Sequence, residues 1–204
     1  MESMTATEAA IQAAEAKLRE DAFRRAPRYG GVGWPWRDKP GFALVLARQG
    51  NEARILYEAE TGDIGQLYEW CRDKRSEFRV LEWFTDMDQP GLAKWREASE
   101  RDAGGGRWDL LPGPAPLAGH PDELAAYLLE VRQGTTNGVK TLYFGESALS
   151  GLLRRFSTED MGKAAREFPP VAALGYALTG SAMAARRIGR GIGEARQEGW
   201  AAWI

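Results

Sequence analysis

Short apolar runs, separated by turns and charged stretches, predict a sheet that forms early in the chain and is covered by helices. The runs Phe42 to Ala47 and Ile55 to Tyr57 flank Gln49-Gly50-Asn51, a turn sequence typical of a β-hairpin. A further run, Val80 to Phe84, predicts a buried strand. Together these patterns predict strands at 29–35, 42–48, 52–59, 78–85, 107–111 and 138–144.

Helix signals alternate with the later strands. Asp63 is placed to cap a helix whose apolar residues recur at i, i+3, i+4 and i+7 from Ile64. Pro90, Pro121 and the pair Pro169-Pro170 each open a further apolar-periodic segment, as proline does in the first turn of a helix. Helices are therefore predicted after each of these residues.

A hairpin followed by alternating helices and strands predicts an α/β protein with a mixed sheet of about five or six strands flanked by helices. We expect strands 42–48 and 52–59 to pair antiparallel, and 78–85 to lie parallel to the first strand of the domain. The residues expected in the core are the apolar members of the clearest elements: Leu44, Leu46, Leu81, Trp83, Leu124, Leu128, Leu174 and Leu178.

Composition and charge exclude several classes of protein. The chain has 204 residues, a hydrophobic share of 44% and a formal net charge of −2, which favours a folded domain without global attraction to nucleic acid. With one cysteine, Cys71, and one histidine, His120, no internal disulfide or cysteine-based zinc site can form. Because no membrane-length apolar run, signal-peptide pattern or P-loop occurs, we expect a cytoplasmic protein without an ATPase motor.

Four stretches resemble the nuclease domain of viral large terminase subunits, a branch of the ribonuclease-H-like fold that cuts concatemeric DNA during packaging. The first three strands of that family are similar to VGWPWRDKPGFALVLARQGNEARILYEAE, and its fourth strand and next helix to EWFTDMDQPGLAKWREASERDAGGGRWDLLPGP. A helix and edge strand resemble PDELAAYLLEVRQGTTNGVKTLYF, and the closing helix, with the family pattern Asp followed by Ala-Leu-Arg-Tyr-Ala-Leu, resembles FPPVAALGYALTG.

This resemblance covers roughly residues 29–180. It implies a ribonuclease-H-like domain at 28–182. An amphipathic helix is expected before it at 1–27, and a basic and aromatic tail after it at 183–204.

The resemblance also implies a site for two divalent cations, Mg²⁺ or Mn²⁺, held by carboxylates. The family places one aspartate on the first strand, one at the end of the fourth and one on the closing helix. These positions fall at or near Trp34, on Asp86 and on Ala172, so Asp86 is the candidate catalytic residue and metal ligand. We expect Asp86 at the end of a central strand, with Trp34 and Ala172 facing it. Substitute ligands for the other two positions are Asp88 and Asp38, followed by Glu58, Glu60, Asp160 and Glu167.

Some of these residues also have an interpretation without a ligand. Asp86 can end a strand beside solvent, and Asp88 can cap the helix that begins at Pro90. Basic residues that could contact a nucleic-acid backbone, or simply lie on solvated helix faces, are Arg154, Arg155, Arg186, Arg187 and Arg190.

We therefore expect a phage or prophage protein that resembles a terminase nuclease domain, lacks metal-dependent catalysis and acts as a binding or assembly module in DNA packaging. No cofactor is expected, or Mg²⁺ or Mn²⁺ if the site is active. Alternatives are an active two-metal DNA endonuclease with relocated acidic ligands, and a structural or accessory virion protein. The candidate partners are DNA and other packaging or virion proteins, with no membrane partner, in the cytoplasm of the host cell.

Overall fold

A computed structural model of the chain describes residues 20–50, 52–86, 89–102, 113–114, 141–143, 149, 151–152 and 167–184. The described strands are β1 (Arg28–Gly33), β2 (Gly41–Gln49), β3 (Glu52–Thr61), β4 (Val80–Thr85), β5 (Gly113–Pro114) and β6 (Thr141–Tyr143). The described helices are α1 (20–25), α2 (Ile64–Phe78), α3 (Gln89–Asp102) and α4 (169–184).

The described strands form one mixed sheet in the order β5-β4-β1-β2-β3-β6. Strand β2 pairs antiparallel with both β1 and β3, whereas β4 lies parallel to β1. The predicted α/β fold class is confirmed, as are the antiparallel hairpin and the parallel placement of the strand that ends at Thr85. This order, with β1 between β2 and β4, is consistent with the ribonuclease-H-like fold.

Side chains of β2 alternate between two hydrophobic cores, because successive residues of a strand point to opposite faces of the sheet. Phe42, Leu44 and Leu46 lie in one core with residues of α4, and we call this side the α4 face. Ala43 and Val45 lie in the other core with residues of α2 and α3, and we call this side the α2/α3 face. Candidate site residues can therefore act together only if their side chains lie on the same face of the sheet.

Helix α4 approaches β1 unusually closely. A Cβ atom built on Gly31 would overlap the carbonyl oxygen of Ala173 and lie 2.9 Å from the Cβ of Ala177. On the other side of the contact, a Cβ on Gly180 would overlap the ring of Phe84. Glycine at these positions lets backbone pack on backbone, and residues 171–182 of α4 are all buried.

Four members of the predicted core are buried as expected: Leu44, Leu46, Leu174 and Leu178. Trp83 is also buried, but the prediction for Leu81 is wrong, because its side chain is 53% exposed. The register between β1 and β4 shifts between Arg28 and Tyr29, so Val80 and Glu82 have partners and Leu81 does not. Leu124 and Leu128 lie outside the described residues.

Two further predictions concern the ends of the sheet. The strand expected at 107–111 lies outside the described residues, and the described strand nearest to it is the two-residue β5 at Gly113–Pro114. At the other edge, Thr141–Tyr143 falls within the strand predicted at 138–144. In the part of the chain that the structure describes, no helix combines the length and apolarity required to span a bilayer.

Candidate functional site

Asp86 directly follows β4, at the carboxyl ends of the two parallel strands β4 and β1. The preceding residue, Thr85, fixes this end of the strand, since its hydroxyl donates a 2.9 Å hydrogen bond to the carbonyl oxygen of Val32 in β1. Asp86 itself is half-buried and points to the α4 face, where the hydroxyl of Tyr176 donates to its Oδ2 at 3.3 Å. The position is therefore as predicted, but the carboxylate is engaged by a side chain of α4.

Tyr176 is buried in the core on the α4 face and is 1% exposed. Burial raises the pKa of its hydroxyl well above the ordinary value, and the charge of Asp86 and the hydrogen bond to it raise this pKa further. A tyrosine with a raised pKa keeps its proton at all ordinary pH values. Tyr176 is thus a donor to Asp86, and its oxygen is a poor cation ligand while it stays protonated.

The first-strand position of the site is occupied by glycine. Continuing the pairing of Gly31 with Phe84 along the parallel strands brings Gly33 level with Asp86. A Cβ atom on Gly33 would overlap the carbonyl oxygen of Pro169, and it would lie 2.9 Å from the carbonyl carbon of that residue. The space into which a first-strand carboxylate would project is therefore filled by the first turn of α4.

Trp34 does not face Asp86, which corrects the expectation from the sequence. Its ring lies in the core on the α2/α3 face, where it meets Trp95 edge-on with ring centroids 5.7 Å apart. The indole also lies against Gly91, where a Cβ would come within 2.6 Å of it. Because strand residues alternate between faces, the residue after Gly33 points away from α4.

The closing-helix position is Ala172, which is buried on the same side of the sheet as Tyr176 and precedes it by about one helical turn. Its methyl group offers no oxygen to a cation. Helix α4 therefore carries a methyl group at Ala172 and, one turn later, a hydroxyl donor at Tyr176.

The substitute ligands in the described residues do not converge on Asp86. Asp38 is exposed in a turn closed by two backbone hydrogen bonds between Trp36 and Lys39, and its carboxylate lies 3.9 Å from the Lys39 ammonium. Glu60 lies on β3, and β1 and β2 separate it from Asp86. Three strand spacings of about 4.8 Å put the backbone of Glu60 roughly 14 Å from that of Asp86. Glu58 lies farther along the same strand, and Glu167 is exposed before α4.

Several predicted site residues lie outside the described part of the chain: Asp88, Asp160, Arg154, Arg155, Arg186, Arg187 and Arg190. Their predictions stay untested. Among the residues that are described, no group of three or more His, Cys, Asp and Glu side chains could hold a metal ion. The positions to which the resemblance points, namely Gly33 or Trp34, Asp86 and Ala172, therefore supply one carboxylate among the described residues.

Sequence reasoning missed the role of Tyr176. A signal was present, because Tyr176-Ala177-Leu178 matches the end of the family pattern quoted for the closing helix. The periodicity of an all-apolar helix does not show which polar atom finds a partner, so the hydrogen bond to Asp86 emerged only from the fold.

Comparison with known proteins gives a structural likeness but no match in sequence. No protein-family model and no curated protein sequence matches the chain. Among solved structures, the chain is similar to the nuclease domain of the large terminase of bacteriophage SPP1, crystallised with bound Mn, at 12% sequence identity and a TM-score of 0.45. The alignment covers 85% of this chain and 90% of that one, and an identity this low transfers no residue role to this chain.

Proposed function

We propose that this protein is a phage or prophage domain of the terminase-nuclease type that has no metal-dependent nuclease activity and serves as a binding or assembly module in DNA packaging. The observation that carries the proposal is Gly33. It stands level with Asp86, the one candidate aspartate at this strand end among the described residues, and the backbone of Pro169 fills the space that a carboxylate there would need.

The electrostatics of the site support the same proposal. Two cations about 3.5–4 Å apart are normally held by several carboxylates that offset their charge. Mg²⁺ also loses its water reluctantly and requires near-octahedral oxygen geometry. Asp86 supplies one negative charge, and one of its oxygens already accepts a hydrogen bond from Tyr176. A single engaged carboxylate is insufficient for either requirement.

The local sequence supports the terminase type rather than an unrelated α/β domain. The four resembling stretches fall on β1 to β4, α3 and α4 and on chain segments between them, in the family's order. The proposed partners are accordingly DNA, through the arginines of 154–155 and 186–190, and other packaging or virion proteins.

The test is a cleavage assay on supercoiled and linear duplex DNA with Mg²⁺ or Mn²⁺, using the full chain, Asp86→Ala and Asp73→Ala. Asp73 is an exposed acid on α2 and serves as the matched control. We expect no cation-dependent cleavage by any of the three proteins. Cleavage by the wild type and Asp73→Ala that Asp86→Ala abolishes would instead establish an active endonuclease, with Asp38 or Asp160 as the relocated ligands to substitute next.

A binding assay in EDTA tests the second half of the proposal. The wild type should retard duplex DNA, and replacing Arg186, Arg187 and Arg190 by Gln should weaken that binding and reduce its salt dependence, because fewer phosphates are neutralised. If neither cleavage nor DNA binding occurs, the virion or accessory-protein alternative becomes the better description.

A further inference from the structure

The closure of the site on the α4 face involves the backbone as well as the side chains. Gly31 and Gly33 both contact α4 at positions where a Cβ atom would overlap a carbonyl oxygen, that of Ala173 or that of Pro169. The first turn and the middle of the helix therefore both rest directly on β1. A helix held at two points along its length has little freedom to withdraw and open a cation-sized space.

Tyr176 lies between those contacts and the end of the neighbouring strand. It directly precedes Ala177, whose methyl group meets Gly31, and its hydroxyl reaches across to Asp86 at 3.3 Å. The tyrosine thus connects α4 to β4 while the small residues on either side connect α4 to β1. This hydrogen bond links the helix to the sheet at the position where the resemblance implies a cation ligand.

We infer that Asp86 and Tyr176 form a structural tie between the sheet and α4, in which Asp86 is the hydrogen-bond acceptor instead of a cation ligand. The tie accounts for a carboxylate at this position without catalysis, because a buried tyrosine hydroxyl needs an acceptor. The inference deepens the proposed function at the same site, since it rests on the proposal that no metal centre operates there, but it requires neither DNA nor a packaging partner.

A double-mutant cycle measures the tie directly. The variants are Asp86→Ala, Tyr176→Phe and the double substitution, unfolded with urea in EDTA, with Tyr57→Phe as a control because the Tyr57 ring is partly exposed on β3. Because the 3.3 Å hydrogen bond is long for a hydroxyl donor, removing either partner should raise the unfolding equilibrium constant roughly fivefold. The double variant should unfold little more readily than the worse single variant, and Tyr57→Phe should be close to the wild type.

Independent effects would overturn the inference. If the increases in the unfolding equilibrium constant caused by the two single substitutions multiply in the double variant, the hydrogen bond does not couple the two residues. Tyr176→Phe is the milder substitution, since it keeps the ring in the core. It therefore provides a reading of the hydrogen bond even if Asp86→Ala lowers the yield of folded protein.

A Mn²⁺-binding assay separates the proposed function from the tie. Bound Mn²⁺ is measured as the loss of the electron paramagnetic resonance signal of the free ion. We expect no Mn²⁺ bound at submillimolar concentration by the wild type or by Tyr176→Phe. Binding that Asp86→Ala removes would overturn the assignment of Asp86 as an acceptor only. Cation-dependent cleavage that survives Asp86→Ala, together with strong coupling, would reject the proposed function and leave the tie standing. Absence of cleavage together with absence of coupling would reject the tie and leave the proposed function standing.

Discussion

Replacing Gly33 by alanine tests whether the approach of α4 to β1 is as close as the structure shows. The new Cβ would lie 2.9 Å from the carbonyl carbon of Pro169 and closer still to its oxygen, whereas ordinary contact begins at 3.4 Å. The obstructing atoms are backbone, so no side-chain rotation can relieve the overlap. Because the carbonyl oxygen is the nearer atom, either the first turn of α4 or the end of β1 must move by roughly 1 Å.

The expected cost follows from that movement. Overpacking of a filled core costs about 1–3 kcal/mol, and a shift of α4 also lengthens the Tyr176–Asp86 hydrogen bond, which is worth a further ~1 kcal/mol. We therefore expect Gly33→Ala to lower the free energy of unfolding by about 3 kcal/mol, equivalent to roughly 10 °C in Tm for a chain of this size.

The assay is urea unfolding followed by tryptophan fluorescence, with thermal unfolding by circular dichroism as a second measurement. Gly62→Ala is the matched control, because it introduces the same methyl group in the exposed loop before α2, where a Cβ would meet nothing within 4 Å. That variant should be neutral or stabilised by up to about 1 kcal/mol, since alanine reduces the entropy of the unfolded chain. Equal stability of Gly33→Ala and Gly62→Ala would show that α4 does not rest on β1.

Three further predictions test other parts of the structure. Arg48→Met should destabilise by about 1.5–3 kcal/mol in urea unfolding, because the buried guanidinium of Arg48 donates to the Leu178 carbonyl and the Ser181 hydroxyl; stability equal to the wild type would contradict this. Leu81→Ala should cost less than about 1 kcal/mol whereas Leu46→Ala costs about 2–5 kcal/mol, and equal losses would place Leu81 in the core. Burial raises the pKa of the Cys71 thiol, so native protein should resist Ellman's reagent from pH 7 to 9 and react only after denaturation; rapid native labelling would refute this.

The elements that the sequence predicted well are those in which local chemistry and the fold agree. The hairpin of β2 and β3 follows from two apolar runs around Gly50, which adopts a positive φ of 57° in the turn. Likewise, the helix expected after Asp63 begins there because the Asp63 carboxylate accepts from the amides of Gly65 and Gln66. In both cases a few adjacent residues determine the outcome.

The errors arose where a distant strand or helix decides the outcome. Leu81 belongs to an apolar run, but the shift in pairing between β1 and β4 turns it outward, and no local pattern reports a register shift. Trp34 was assigned to the site by its order in the motif, although alternation from Gly33 sends it to the opposite face. The prediction of Asp86 at the end of the strand was correct in position, but its engagement by Tyr176 depends on a helix 90 residues away.

The late position of α4 in the chain has a consequence for how the protein folds. The strands that carry Phe42, Leu44 and Leu46 are complete within the first quarter of the sequence, yet α4, which covers one face of them, follows more than 100 residues later. The buried hydrogen bond from Arg48 to Leu178 spans 130 residues. Contacts of such long range form slowly, because the loop between them must close before they contribute stability. During synthesis the hairpin therefore exposes an apolar surface until α4 has been made and packs on it. Premature association between chains would begin at this surface.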